Sequence, residues 1–61
     1  MNQKITILVA DDEPDVRNAA VRIIRSAGYR VLKAPTGADC IRMAKKHWPD
    51  MILLDVVLPL S

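Results

Sequence analysis

The chain reads as an α/β domain with three parallel strands, and three observations predict it. Two short apolar runs end in carboxylates: Ile5-Thr6-Ile7-Leu8-Val9-Ala10 meets Asp11-Asp12-Glu13, and Met51-Ile52-Leu53-Leu54 meets Asp55. Apolar residues recur at helical spacing in two segments between them. Proline or glycine stands at most junctions, as Pro14, Gly28, Pro35, Gly37, Pro49 and Pro59. A βαβαβ order of this kind closes through right-handed crossovers and makes its strands parallel.

Residues 4–10 are short, β-branched and apolar on both faces, the pattern of a buried strand. Pro14 suits the first helical position, where its missing N–H costs nothing. Val16, Ala19, Ala20, Ile23, Ile24 and Ala27 then form a helical stripe, with Arg17, Arg22 and Arg25 off it. Gly28 supplies a left-handed stop, so the first helix spans about residues 14–27. Residues 29–34 form the second strand, where Arg30 and Lys33 suit a sheet edge. Thr36 and Asp39 resemble a capping box, with aspartate in place of glutamate. Cys40, Ile41, Ala44 and Trp48 predict the apolar stripe of a helix over about 37–47. Trp48 is expected to pack that helix on the sheet. Met51–Leu58 is the third strand, closed by Pro59, and its apolar run is expected to be buried.

At 61 residues the chain is at most one small domain. Such a domain buries only about 60% of its unfolded surface. Cys40 is the only cysteine, so no disulfide within the chain assists. A net charge of +2, spread along the chain, reads as solvated helix faces rather than a nucleic-acid surface. Tyr29 and Trp48, the only aromatics, give no stacking platform. No apolar run reaches membrane-spanning length, and no signal peptide is recognised, so the expectation is a cytoplasmic protein. His47 reads as a cation near a helix C-terminus and Cys40 as a small core residue.

The acids carry the chemistry. If the second crossover reverses direction, the strand order is 2-1-3. The carboxyl ends of strands one and three then flank the switch point where ligands bind. Asp11, Asp12 and Asp55 belong there. Clustered hard oxygens suit Mg2+, and a carboxylate beside a bound cation can attack phosphorus to give an acyl phosphate. Acids at strand ends also serve as helix caps and solvated loops, and the residue types alone leave the two readings level.

A resemblance adds to this reading. Ile7-Leu8-Val9-Ala10-Asp11-Asp12-Glu13-Pro14 resembles the opening of a response-regulator receiver domain. Ala27-Gly28-Tyr29, Ala34-Pro35-Thr36-Gly37 and Pro49 through Pro59 resemble later parts of it, at matching spacing. The resemblance implies a flavodoxin-like fold, here truncated to three parallel strands in the order 2-1-3, and the edge this leaves open predicts completion by oligomerisation. It implies that Asp55 is the phosphoacceptor. It implies that Asp11, Asp12 and Asp55, with the backbone carbonyl of Val57, hold Mg2+. The implied donor is the phosphohistidine of a histidine kinase or phosphotransfer protein, and the chain is not itself an enzyme with a separate substrate.

The family's pattern continues with a hydroxyl residue after strand four and a lysine after strand five. Neither Ser61 nor Lys46 stands at such a position. The alternatives are therefore an interaction module without phosphotransfer, or a fragment with no function of its own. A three-stranded sheet also leaves strand three as a long apolar edge, which predicts a homodimer formed through it.

Overall fold

Strand-forming and helix-forming stretches alternate in the structure, a computed structural model that describes residues 4–54. The order is β1 (Thr6–Ala10), α1 (Pro14–Ser26), β2 (Arg30–Ala34), α2 (Gly37–His47) and β3 (Met51–Leu54). The sheet is parallel, in the order β2-β1-β3. This is the expected βαβαβ unit with the expected central strand. Positions 55–58, assigned to the third strand from sequence, lie outside the described residues.

The period-two geometry of β1 divides the core into two halves. Leu8 and Ala10 point to one face, with Ala34 of β2 and Cys40 of α2, flanked by Leu32, Met43 and Ala44. Ile7 and Val9 point to the other, with Val21 of α1, flanked by Ala20, Ile24 and Val31. The two helices therefore cover opposite faces of the sheet. Leu8 and Val9 are the largest fully buried side chains. Each contributes about 1.5–3 kcal/mol through burial.

Helix ends follow local chemistry. Thr36 Oγ1 accepts the Asp39 N–H at 3.1 Å and donates to Asp39 Oδ2 at 2.9 Å, capping α2 as its sequence predicts. Such a cap contributes about 1 kcal/mol. Gly28 takes φ of 99°, the left-handed turn expected after α1, and its N–H reaches the Arg25 carbonyl.

Three expectations are corrected. Trp48 does not pack α2 on the sheet: it is 83% exposed. Its backbone is left-handed, with φ of 51°, and its N–H closes on Ala44, so the chain leaves the helical stripe at that residue. The buried faces of the helices are also rotated from the expected stripes. Ala20, Val21 and Ile24 face the sheet from α1, while Val16 and Ile23 are exposed; in α2, Met43 replaces Ile41 on the core side. Finally, β3 is not a buried strand. Met51, Ile52, Leu53 and Leu54 are all exposed, because α1 and α2 pack on β1 and β2 and neither reaches β3.

Candidate functional site

The first acidic residue after β1 is built into the fold. Asp11 is buried, the one buried charged side chain among the described residues. Its N–H donates to the Ala34 carbonyl at 3.1 Å, extending the β1–β2 ladder one residue past the strands. Its Oδ1 accepts the Glu13 N–H at 2.9 Å, a local turn that aspartate favours. Its carbonyl accepts a hydrogen bond from Arg17 Nη1 at 2.9 Å. Three of its four polar groups are thus engaged. Its Oδ2 accepts no hydrogen bond among the described residues. Asp12 and Glu13 are exposed beside it.

The other half of the expected site follows β3. Ile7, Leu8, Val9 and Ala10 are level with Met51, Ile52, Leu53 and Leu54. Asp50 secures this register from the far end: the Thr6 N–H donates to Asp50 Oδ2, and the Asp50 N–H donates to the Thr6 carbonyl, both at 2.8 Å. A slip of one residue would turn every β3 side chain to the opposite face. Ala10 and Leu54 end level, and the residues that follow them in sequence are Asp11 and Asp55. Asp55 and Val57 themselves lie outside the described residues.

Asp11 also lines an open groove of about 260 Å³, together with Val9, Ala10, Val16, Ala20, Leu53 and Leu54. A carboxylate with one free oxygen, next to an exposed second carboxylate, is a hard donor set. Mg2+ takes one or two carboxylates and completes its octahedron with water, so this set fits it. Among the described residues no three acidic, histidine or cysteine side chains cluster to hold a metal. Those residues supply the Asp11–Asp12 part of the expected site and no more.

Two residues in this arrangement were not singled out from sequence. Arg17 was assigned to a wet face, but it is half-buried and its guanidinium turns back to Asp11. A signal was present: Arg17 lies three and four residues before Ala20 and Val21, on the face of α1 that meets the sheet. Asp50 enters the sequence reading only within the segment Pro49 through Pro59. Its bonds to Thr6 span 44 positions, and no local pattern shows them.

Residues 7–61 match the family model described as response regulator receiver domain. The chain is 43% identical over 53 residues to the transcriptional regulatory protein KdpE of Mycobacterium tuberculosis, covering 87% of this chain and 24% of that protein. It is 37% identical over 57 residues to the probable transcriptional regulatory protein TcrX of the same organism, covering 93% of this chain and 24% of that one. It is 36% identical over 53 residues to the protein PilH of Pseudomonas aeruginosa, covering 87% of this chain and 44% of PilH. The chain thus spans less than half the length of each of these relatives. No solved structure matches it at a significant level.

Proposed function

Because the chain belongs to the response-regulator receiver family, we propose that it is the phosphoacceptor module of a two-component phosphorelay, with Asp55 as the acceptor. The donor is the phosphohistidine of a histidine kinase or phosphotransfer protein. A carboxylate oxygen of Asp55 attacks phosphorus, the P–N bond breaks, and the imidazole leaves, giving an aspartyl phosphate. The observation that carries this reading is the β1–β3 register, in which Ala10 and Leu54 end level and each is followed by an aspartate. Asp11 and Asp12, with Asp55 and the Val57 carbonyl, are the groups that would hold Mg2+. When bound, the ion supplies positive charge beside the phosphoryl oxygens. In this reading the chain is a signalling module, not an enzyme with a separate substrate. The same reading places it in the cytoplasm, where a lone thiol such as Cys40 stays reduced.

Incubation with Mg2+ and acetyl phosphate, followed by intact-mass measurement, tests the proposal. Wild type should gain the mass of one phosphoryl group, and Asp55→Asn should gain none. No gain in wild type would sink the phosphoacceptor reading.

The exposure of β3 favours a second role, dimerisation. Its four side chains are 42–57% exposed on an edge that has no strand partner among the described residues. A two-fold copy pairing β3 antiparallel with β3 would give a continuous sheet in the order 2-1-3-3′-1′-2′. The seam buries apolar side chains and satisfies the edge backbone in one contact. Should the mass test fail, an interaction module built on this seam becomes the leading function.

A further inference from the structure

We propose that Arg17 is a positioning residue for the acidic site: it fixes the loop that presents Asp11, and through it the free carboxylate oxygen. The inference rests on the Mg2+-binding reading of Asp11 and asks how that ligand is held.

Four contacts carry it. Arg17 Nη1 donates to the Asp11 carbonyl at 2.9 Å, reaching back six residues, and the Arg17 N–H donates to the Glu13 carbonyl at 2.8 Å. The Glu13 N–H donates to Asp11 Oδ1 at 2.9 Å, and the Asp11 N–H is held by Ala34. Arg17 therefore binds the loop at two points, one by side chain and one by backbone. Of these two, only the guanidinium contact depends on residue type. Arg17 is half-buried, on the face of α1 that carries Ala20, Val21 and Ile24 into the sheet. The guanidinium is held by its bond to the Asp11 carbonyl. Residues that orient a metal ligand through a hydrogen bond tune affinity without touching the metal.

Charge and position act in opposite directions here, and this makes the role testable. A cation beside Asp11 and Asp12 repels Mg2+. If Arg17 acted only as a charge, removing it would tighten binding. If it acts by holding the loop, removing it weakens binding. Arg17→Met keeps the apolar stem and deletes the donor. Arg17→Lys keeps the charge and replaces the planar fork with a shorter point charge.

The experiment is a Mg2+ titration of the 61-residue chain, followed by backbone amide resonances of Asp11, Asp12 and Glu13. Exchange of the Glu13 amide is measured separately in metal-free protein. Wild type should saturate, and both variants should need about tenfold more Mg2+. The Glu13 amide should exchange faster in both variants, while core amides such as Leu8 stay protected. Tighter binding in Arg17→Met with no change in Arg17→Lys would overturn the positioning role in favour of charge. Unchanged midpoints and unchanged Glu13 exchange would overturn it outright. If wild type itself binds no Mg2+, the metal reading fails. Glu13 exchange then still decides whether Arg17 holds the loop, since it needs no metal. Should Arg17→Met fail to fold, Arg17→Lys carries the same comparison.

Discussion

Leu8→Ala should unfold most of the population. Leu8 is fully buried at the centre of the central strand, between Ala34, Cys40 and the flanking Leu32, Met43 and Ala44. Truncating a buried leucine costs about 2–5 kcal/mol, from lost transfer energy and the cavity left behind. A domain of this size draws only about 3–5 kcal/mol from its core. The loss is therefore comparable to the whole stability. The control is Ile23→Ala, equally apolar in sequence but 70% exposed. It should change stability by less than about 0.5 kcal/mol. Urea unfolding followed by circular dichroism, at one fixed protein concentration, makes the comparison. Equal midpoints for the two variants would show that the described core is not the one that holds the chain.

The double substitution Ile52→Lys and Leu53→Lys should convert the proposed dimer to a monomer. The two positions lie on opposite faces of β3, level with Leu8 and Val9, so each face of the proposed seam receives a lysine. In an antiparallel two-fold pairing centred on either position, that lysine faces its own copy and the other lies diagonal to its copy, and like charges so close across strands destabilise the pair. Desolvating them adds several kcal/mol, so about 3 kcal/mol is a modest figure. That corresponds to roughly a hundredfold weaker dissociation constant. Both side chains are substantially exposed in the single chain, at 42% and 45%, so the fold itself should tolerate the change. Light scattering across a dilution series reads the result. A wild type that stays monomeric throughout, or a variant that stays dimeric, would rule out β3 as the seam.

The fold was legible because its signals are local. Pro14, Gly28 and Thr36 mark helix ends through backbone chemistry that needs no distant partner, and each behaves as its residue type requires. The parity of β1 was legible too, since Ile7, Leu8, Val9 and Ala10 are apolar on both faces and only a central strand uses both. Trp48 was misread because periodicity does not show where a helix unwinds. One left-handed residue took it out of the stripe. Ile41 and Ile23 were misread because an apolar residue beside the buried stripe has the same spacing as one within it. β3 was read as buried from its composition, but burial depends on what covers a strand, and its own residues do not specify that. In the acidic site, Asp11 and Asp12 were visible as types at a strand end. The contacts of Arg17 and Asp50 depend on tertiary placement and were not.

The most direct measurement of the central claim is to locate the phosphoryl group. An aspartyl phosphate is an acyl phosphate, which borohydride reduces to the alcohol, leaving homoserine in place of that aspartate. After treatment with Mg2+ and acetyl phosphate, reduction and peptide mass analysis should find homoserine at position 55 and at no other acid. Homoserine at position 11 or 12, or at none of the three, would contradict the assignment of Asp55 as the phosphoacceptor.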